Sequence, residues 1–509
     1  MLYCIMKKNN TDKNPEKTLT PPPFSEKTLK DLAELLFPNA GVPPSLPAKR
    51  IAFRIAPSPT GSLHIGSLAM AFVNRLLADA HKGVFFLRIE DTDKKREVEG
   101  GTENLMRGFD QFGIKFDEFA GKQSERTEIY HAFAKQLVGQ GHAYPCFCTP
   151  EDLEKSREEQ IAKKETPGYK HEYAVCRGLG LDDTKQKLSS GMKWCLRFMS
   201  DVTQARVSWQ DLIRGEMSLP YQENNFVILK KDGIPPYNFA HVVDDTMMST
   251  SHVVRGEEWL PSTAEHIQLH RALFSDEPSW HYAHFPVTCV QENGNKRKIS
   301  KRKDVFAATD WFIAQGYPVA SIKEYILTLF NTNYEMWRIA NPTNPYTEFD
   351  FKFENIGTNS PLFDLQKLDY LSREVISRMT KSEIRELVTE FGITDDKILL
   401  ALEIDRETQK PRKDIAKWSE VPEMFDYLVT APKTGKNPIV KVYLDNYKTF
   451  SIREEWFAWV KSLCIEIKVK DLTQAVRVSI TGRESTPDLW EIQNILGEDE
   501  VKTRLRRCL

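Results

Sequence analysis

The first regular pattern in the chain is a strand-like alternation followed by helical spacing. Over residues 50–56, every second position is apolar and the positions between are small or charged: Ile51, Phe53 and Ile55. From Ser67 onward, apolar residues recur at helical spacing: Leu68, Phe72, Leu76 and Ala80. Two prolines and a glycine within 57–61 break regular pairing between the two patterns. The chain therefore predicts a strand, a turn and an amphipathic helix in succession.

Later patterns predict a larger fold of mixed type. Residues 84–87 and 285–290 are short apolar runs that predict buried strands. Residues 1–49 are rich in Lys, Asn, Thr and Pro, which predicts a flexible extension with one short helix over 26–37. The last third has helical spacing, as in 381–391, 453–467 and 489–505.

Composition adds limits to this picture. A chain of 509 residues predicts several domains, since single cores rarely exceed about 250–300 residues. No uninterrupted apolar run reaches the roughly 20 residues that a membrane-spanning helix needs. The eight cysteines form no dense framework and the N-terminus is a poor secretory signal, so we expect a cytoplasmic protein. With a net charge of −2, any affinity for a polyanion must come from clustered Lys and Arg.

His64 and Gly66 lie at the predicted entrance of the first amphipathic helix. Free backbone N–H groups and the helix dipole favour a phosphate there, and a glycine allows close approach. An imidazole at this position can donate a hydrogen bond to a phosphate oxygen as charge develops. The alternative is that His64 only caps or packs against the helix.

A second candidate segment is basic at nearly every position. Residues 296–303 contain only Ile299 and Ser300 as uncharged members. One interpretation is a solvated loop or a general nucleic-acid patch. The other is a mobile lysine loop that clamps triphosphate oxygens, because lysine is a compact charge on a flexible stem.

Both segments resemble the signatures of class I aminoacyl-tRNA synthetases. Residues 54–67 (RIAPSPTGSLHIGS) resemble the HIGH signature, and residues 298–302 (KISKR) resemble the KMSKS loop. Further stretches are similar to glutamyl-tRNA synthetases of the bacterial type, in order along the chain: LRIEDTD at 87–93, YNFAHVVDD at 237–245, HVVRGEEW at 252–259, PLFDLQKL at 361–368 and TGRESTP at 481–487.

The resemblance implies an α/β fold: a Rossmann-like parallel-sheet catalytic domain with an α+β insertion, followed by an all-helical C-terminal anticodon-binding region. The expected divisions are a flexible N-terminal extension (1–49), the first half of the catalytic domain (50–129), an acceptor-end-binding insertion (130–236), the second half with the KMSKS-like loop (237–303), a stem-contact region (304–378) and the helical anticodon-binding region (379–509).

The implied reaction is the ATP-dependent ligation of L-glutamate to tRNA(Glu) through a glutamyl-adenylate, with Mg2+ assisting and a monomer expected. The catalytic residues implied are His64, Lys298 and Lys301. The implied ATP contacts are Ser58, His64, Gly66, Ser67, Glu258, Lys298 and Lys301. The implied glutamate contacts are Arg54, Ala56, Ser58, Glu90, Tyr237, His241 and Arg255. Family members vary at the position of His241.

Chemistry suggests how three of these would recognise glutamate. The guanidinium fork of Arg54 suits the side-chain carboxylate. Arg255 would hold or orient the α-carboxylate, and Glu90 would pair with the ammonium group. Without the family context, each would be read as a charged strand end in an ion pair.

The sequence leaves open whether the chain binds zinc. Some relatives carry zinc on a C-x-C pair with a later C-x-H, and here Cys146, Cys148 and Cys176 match three of those ligands. The expected histidine is replaced by Gly178, so Tyr173 or His171 would have to complete the site. Because closed zinc sites normally use four Cys or His ligands, reduced cysteines without metal are the favoured interpretation.

Two other functions are considered. Glutaminyl-tRNA synthetase shares the catalytic design, but its C-terminal half is β-barrel, whereas this chain predicts helices. A synthetase paralogue that modifies or binds tRNA without aminoacylation would lack the long helical half that this chain has.

Overall fold

The structure is a computed structural model that describes residues 24–200 and 205–509. The chain divides into two compact units, each treated separately below. The first unit runs to Val287 and also includes Asp350–Pro361, and the second consists of Thr288–Phe349 and Leu362–Leu509.

Ten strands belong to the first unit among the described residues. They are β1 (Ala52–Ile55), β2 (Val84–Ile89), β3 (Glu118–Lys122), β4 (Ala143–Cys146), β5 (Cys195–Phe198), β6 (Arg206–Asp211), β7 (Gly215–Pro220), β8 (Val227–Leu229), β9 (His252–Gly256) and β10 (His281–Phe285). Its α-helices are α1 (Glu26–Leu36), α2 (Ile65–Ala80), α3 (Gly101–Gln111), α4 (Thr127–Gly139), α5 (Pro150–Ala162), α6 (Leu181–Ser189), α7 (Tyr237–Met247) and α8 (Leu260–Phe274).

A seven-stranded sheet, counted over the described residues, forms the centre of the first unit in the order β3-β2-β1-β9-β10-β6-β7. All neighbouring pairs are parallel except the β6/β7 hairpin. Its central strands carry fully buried apolar residues on both faces, including Phe53, Phe85 and Val254. Such burial is what parallel strands covered by crossover helices require. This is the predicted Rossmann-like arrangement, in which sites form outside the carboxyl ends of the strands.

A smaller sheet, β4-β5-β8, lies within the range predicted as an insertion. Two strands from that same range, β6 and β7, pair with β10 and so extend the main sheet. The boundaries 130–236 therefore remain a prediction, since part of this range completes the catalytic sheet.

The predicted short helix near the N-terminus is confirmed as α1. Its apolar face is buried and packs with α4, and Lys135 of α4 lies 2.8 Å from Glu34. Ser25 caps the helix by accepting from the Thr28 amide at 3.2 Å. Residues 26–37 are therefore a packed element, while the expectation of flexibility for 1–23 lies outside the described residues.

The second unit begins with the hairpin β11 (Cys289–Glu292) and β12 (Asn295–Lys298). Its α-helices are α9 (Thr309–Gln315), α10 (Val319–Phe330), α11 (Tyr334–Ala340), α12 (Leu365–Ser377), α13 (Lys381–Glu390), α14 (Asp396–Glu403), α15 (Val421–Met424), α16 (Asp426–Val429), α17 (Val440–Asp445), α18 (Arg453–Leu463), α19 (Val469–Thr481), α20 (Leu489–Leu496) and α21 (Glu498–Arg507). The predicted helical C-terminal part is confirmed.

Proline and glycine account for two differences from the predicted elements. The apolar run 285–290 was expected to be one strand, but β10 ends before Pro286 and β11 starts at Cys289. Gly497, with a φ of 83°, separates α20 from α21 within the C-terminal helical pattern. No helix in residues 24–200 and 205–509 is long and apolar enough to cross a membrane.

Candidate active site

Polar side chains lie at the carboxyl ends of five neighbouring strands of the main sheet. In sheet order they are Arg88 on β2, Arg54 on β1, Arg255 on β9, His284 on β10 and Asp211 on β6. All five are buried. Because ligands of parallel sheets bind outside this edge, the row marks the candidate active site of the first unit.

Arg54 is held by a buried carboxylate. Its Nη2 lies 3.2 Å from Asp245 Oδ2, and its Nε donates to the same carboxylate at 3.3 Å. A third, longer bond runs from Nη1 to the Val254 carbonyl at 3.4 Å. The cation that the sequence assigns to the substrate side chain therefore already has an anionic partner.

Asp245 is shared with a second guanidinium, that of Arg88. Arg88 Nη1 donates to Asp245 Oδ1 at 2.8 Å. Burial alone would raise the pKa of Asp245, but the charge of Arg54, the adjacent His241 ring and the charge of Arg88 hold it well below its usual range. Asp245 is thus ionised and compensates two buried cations.

The preceding acid, Asp244, completes the network. It accepts hydrogen bonds from Gln123 at 3.0 Å, from Arg126 at 2.8 Å and from the Tyr130 hydroxyl at 2.8 Å. Arg88, Asp244 and Asp245 were not assigned roles from sequence. The sequence nevertheless contained a signal for them. Arg88 interrupts the apolar run VFFLRI, and Asp244 and Asp245 lie on a helix among buried apolar residues. Charges in such positions require buried partners.

Glu90 follows β2 and accepts from Arg88 Nη2 at 3.2 Å. Burial raises the pKa of Glu90 to about 7, and the attraction of Arg88 and Arg54 opposes this shift only in part. A buried carboxyl group with a pKa shifted this far is a candidate functional group, and its ionised form can pair with an ammonium group.

Arg255 makes five hydrogen bonds, and every partner among the described residues is uncharged. Its Nε donates to His284 Nε2 at 3.0 Å. The remaining partners are the Tyr237 hydroxyl at 3.1 Å, His266 Nδ1 at 3.3 Å, the Trp259 carbonyl at 3.3 Å and Thr263 Oγ1 at 2.9 Å. Burial lowers the pKa of His266 well below its usual range, and it raises the pKa of Tyr237. Both therefore remain neutral.

His241 lies beneath Tyr237 and is fully buried. The two rings stack with centroids 5.4 Å apart, and His241 Nδ1 lies 2.9 Å from Asp245 Oδ2. Burial lowers the pKa of His241 to about 3, so the ring is neutral. The structure brings Arg54, Glu90 and His241 into one network through Asp245 and Arg88, and it joins Tyr237 to Arg255. Direct glutamate contact by any of them, or by Ala56 and Ser58 in the turn after β1, stays a prediction.

His64 caps α2. Its Nδ1 accepts from the Gly66 amide at 2.9 Å, so the ring proton of the neutral form lies on Nε2. Both interpretations of His64 can therefore hold together, since the capping bond fixes the tautomer that can donate to a phosphate. A Cβ at Gly66 would lie 3.1 Å from His64 Nδ1, which explains why a residue without a side chain fits there. Ser67 follows in the first turn of the same helix, and Glu258 lies exposed in the turn after β9.

The lysine segment lies in the second unit and is organised around Asp304. Arg297 binds both oxygens of Asp304, at 2.8 and 2.9 Å, and the Ser300 amide donates to it at 2.8 Å. Ile299 is buried, while Lys298 at the end of β12 and Lys301 after it are exposed. The two lysines are thus presented to solvent by an ordered turn, as a phosphate-binding loop requires.

Three cysteines meet within the first unit. The Sγ atoms of Cys146, Cys148 and Cys176 lie within 4.8 Å of one another, and all three residues are buried. Cys148 and Cys176 are 3.6 Å apart, close to the roughly 3.8 Å expected for two thiolates on a tetrahedral zinc ion. Hydrogen bonding from Cys148, Cys176 and Cys195 lowers the pKa of Cys146, which favours a thiolate.

The two residues considered as a fourth ligand, Tyr173 and His171, have other partners in the structure. Tyr173 bonds to Lys163 at 3.1 Å, and His171 lies 3.6 Å from Glu223 and is half exposed. The group that reaches the thiols is instead the Tyr169 hydroxyl, 3.3 Å from both Cys146 and Cys148. Tyr169 lies seven residues before Cys176, at a bend in the chain, and sequence spacing gave no reason to select it.

Comparison with known proteins agrees with this architecture. Residues 50–370 match the family model described as tRNA synthetases class I (E and Q), catalytic domain, and residues 412–509 match an anticodon binding domain. The chain belongs to the class I tRNA synthetases of this E and Q family.

Individual relatives narrow the comparison. The chain is 37% identical to a glutamate–tRNA ligase of Clostridium perfringens strain SM101, over 94% of this chain and 99% of the relative. It is 38% identical to a glutamate–tRNA ligase of Clostridium beijerinckii, over 90% and 93% respectively. The crystal structure of a glutamate-tRNA synthetase from Elizabethkingia anophelis has the same fold, with a TM-score of 0.75 and 24% identity over 90% of this chain and 99% of that one.

Proposed function

We propose that this chain ligates L-glutamate to tRNA(Glu) in two steps that consume ATP. The observation that carries the proposal is the charge pattern at the carboxyl edge of the sheet. Two guanidinium groups, Arg54 on β1 and Arg255 on β9, and one carboxyl group, Glu90 directly after β2, lie at three adjacent strands of one unit. An amino acid with two carboxylates and one ammonium group is complementary to this set.

The reaction consists of two displacements. The α-carboxylate of glutamate attacks the α-phosphorus of ATP, which forms glutamyl-adenylate and releases pyrophosphate. A ribose hydroxyl of the terminal tRNA adenosine then attacks the mixed anhydride and releases AMP. The protein acts by positioning the reactants and stabilising phosphate charge.

His64 would donate from Nε2 to a phosphate oxygen at the N-terminus of α2, while Lys298 and Lys301 would bind the remaining phosphate charge. Mg2+ would neutralise further charge on the triphosphate. Ser58, Gly66, Ser67 and Glu258 complete the ATP contacts that we propose. The cytoplasm and a monomeric state are the setting predicted from sequence.

Known relatives support this function over the two alternatives. The similar proteins reported above are glutamate–tRNA ligases that match over nearly their full length, including the helical C-terminal part. A paralogue without aminoacylation and a glutaminyl-tRNA synthetase are therefore not favoured.

A charging assay tests the proposal. The purified protein is given ATP, glutamate or glutamine, and transcripts of tRNA(Glu) or tRNA(Gln). We expect attachment of glutamate to tRNA(Glu) and none of glutamine. Attachment of glutamine alone, or of neither amino acid, would overturn the proposal.

Variants test the phosphate roles. His64→Ala and Lys301→Ala should lower the turnover number far more than they weaken tRNA binding. Lys303→Ala is the matched control, because Lys303 belongs to the same basic segment, lies 3.3 Å from Glu292 and is not among the residues assigned to phosphate. Equal charging by all three variants would contradict the roles of His64 and Lys301.

We also propose that the three thiols hold a structural zinc ion with the Tyr169 hydroxyl as the fourth ligand. The 3.3 Å distances from this hydroxyl to two sulfur atoms are close to the roughly 3.5 Å expected for an oxygen and a thiolate on one tetrahedral zinc. Metal analysis should find about one zinc per chain and much less in Cys176→Ser. Cys289→Ser, which alters a cysteine outside the group, is the control, and a zinc content near zero in the parent protein would refute the site.

A further inference from the structure

Three of the five residues in the polar row form a continuous hydrogen-bonded chain. Arg255, His284 and Asp211 lie on the adjacent strands β9, β10 and β6, and His284 is directly opposite Arg255 in the sheet register. Arg255 Nε lies 3.0 Å from His284 Nε2, and His284 Nδ1 lies 2.6 Å from Asp211 Oδ2. His284 and Asp211 do not belong to the residues assigned above to glutamate or ATP.

The neighbours of His284 determine its tautomer. A guanidinium can only donate, so His284 Nε2 must accept from Arg255. An ionised carboxylate can only accept, so His284 Nδ1 must carry the proton. Burial lowers the pKa of His284 to about 4, which keeps the ring neutral despite the opposing effect of Asp211. His284 Nδ1–H with a lone pair on Nε2 is the form that satisfies both partners.

The two oxygens of Asp211 have different partners. Oδ1 accepts from the amides of Ile213 and Arg214, each at 3.0 Å, and from the His284 amide at 3.3 Å. Oδ2 faces the His284 ring. Burial would raise the pKa of Asp211, but the bonds from His284 and from the two amides lower it overall. The three backbone donors require an acceptor at Oδ1, so any side-chain amide placed here must turn its nitrogen toward His284.

We propose that Asp211 and His284 are positioning residues for Arg255: Asp211 fixes the tautomer of His284, and His284 in turn fixes the guanidinium that meets a carboxylate of glutamate. The proposal rests on the proposed function, because it takes Arg255 to be a glutamate contact. A histidine that turned an N–H toward Arg255 would oppose donor to donor and displace the guanidinium.

The variant Asp211→Asn tests this step with almost no change in shape. Its oxygen stays on the three amides, and its NH2 group donates to His284 Nδ1, which moves the ring proton to Nε2. Arg255 Nε then loses its acceptor and faces an N–H group, while the bonds from Nη1 and Nη2 remain. We expect the KM for glutamate to rise about tenfold or more, since a hydrogen bond to a charged group is lost, while the KM for ATP changes little.

A second variant separates positioning from a purely structural role. In His284→Gln, the side-chain amide can offer its oxygen to Arg255 without depending on a tautomer. We expect the KM for glutamate to rise less in His284→Gln than in Asp211→Asn. The double variant Asp211→Asn/His284→Leu should remain within about twofold of His284→Leu alone, because no ring is left whose tautomer Asp211 could fix. If Asp211→Asn raises the KM for glutamate by the same factor whether or not His284 is present, Asp211 acts only on structure and the proposal is wrong.

Asp232→Asn is the matched control for the turn itself. Asp232 Oδ1 also accepts from the amide two residues on, that of Ile234 at 3.0 Å, but it has no histidine partner. This control should leave the KM for glutamate unchanged. An unchanged KM in Asp211→Asn as well would overturn the proposal.

The tautomer can also be observed in the parent protein, which covers the case of a variant that fails to fold. Nitrogen-15 NMR of histidine-labelled protein should show a neutral ring with the proton on Nδ1, identified by its absence in His284→Gln or Asp211→Asn. A ring with the proton on Nε2, or a charged ring, would overturn the proposal. A parent protein that charges no glutamate would instead refute the proposed function, while the NMR result would still test the tautomer.

Discussion

The two arginines assigned to glutamate are buried to a similar degree but are held in opposite ways. Arg54 is 4% exposed and bonds to the carboxylate of Asp245, whereas Arg255 is 6% exposed and bonds to a histidine, two hydroxyls and a carbonyl, among other uncharged groups. Charge compensation is therefore local at Arg54 and is left to the ligand at Arg255.

This difference predicts that the two arginines contribute differently to the stability of the fold and to the affinity for substrate. A buried charge without a partner is costly, so Arg54 and Asp245 support the fold whether or not substrate is present. Arg255 lies in an environment of dipoles, which favours a carboxylate of the substrate when it arrives. One arginine is expected to serve the fold and the ligand together, and the other chiefly the ligand.

The largest expected effect is on stability. Arg54→Met keeps much of the side-chain volume but leaves Asp245 with one cation fewer. We expect the free energy of unfolding to fall by about 3–5 kcal/mol, the cost of breaking a buried pair. Urea unfolding followed by tryptophan fluorescence measures this change.

Arg255→Met provides the comparison for that experiment. It leaves only neutral groups without their donor, so the loss of stability should be smaller than in Arg54→Met. Equal losses in the two variants would show that the anionic partner of Arg54 does not distinguish the two sites.

The next effect concerns glutamate affinity in Arg255→Met. Removing a buried charge that pairs with a substrate carboxylate should raise the KM for glutamate about thirtyfold or more. The KM for ATP should change far less. Arg50→Met serves as the control, since Arg50 pairs with Glu118 at 2.6 Å in a partly exposed position. A proportional rise in both KM values would argue against a glutamate contact.

Sequence reasoning predicted the strand–turn–helix around His64 and the helical C-terminal part, because both depend on local periodicity, whereas the parallel sheet was implied by the family resemblance. It also selected Arg54, Glu90 and Arg255. It did not predict that Asp245 bridges Arg54 and Arg88, or that His284 supports Arg255. Those pairings join positions 191, 157 and 29 residues apart, and only the tertiary packing of α7 and of neighbouring strands brings them together. The sequence did not indicate that the Tyr169 hydroxyl lies beside the thiols for a related reason, since the local course of the backbone decides which hydroxyl faces them.

A pH dependence tests Glu90, the carboxyl group that follows β2 and accepts from Arg88. Burial raises the pKa of Glu90 to about 7 from 4.5, so the protonated form favours the ligand-free fold, and this contribution to stability is lost as pH rises through about 7. Pairing with the ammonium group requires the ionised form. We therefore expect kcat/KM for glutamate to fall about tenfold per pH unit below about pH 7.

Glu90→Gln is the variant for that profile. It should lower the plateau and remove the inflection near pH 7, because its side chain does not titrate. Persistence of the same inflection in the variant would assign it to another group, and Glu90 would lose its role in binding the ammonium.

The smallest expected effect concerns one hydrogen-bond acceptor of Arg255, the Thr263 hydroxyl. Thr263 Oγ1 accepts from Arg255 Nη2 at 2.9 Å, and the same nitrogen also donates to the Trp259 carbonyl at 3.3 Å. Thr263→Val removes the first acceptor with little change in volume, but the second remains. We expect the KM for glutamate to rise only about fivefold, the worth of roughly 1 kcal/mol. Thr263→Ser, which keeps the hydroxyl, should restore the parent value, and a failure to do so would mean that the methyl group, not the hydrogen bond, positions the guanidinium.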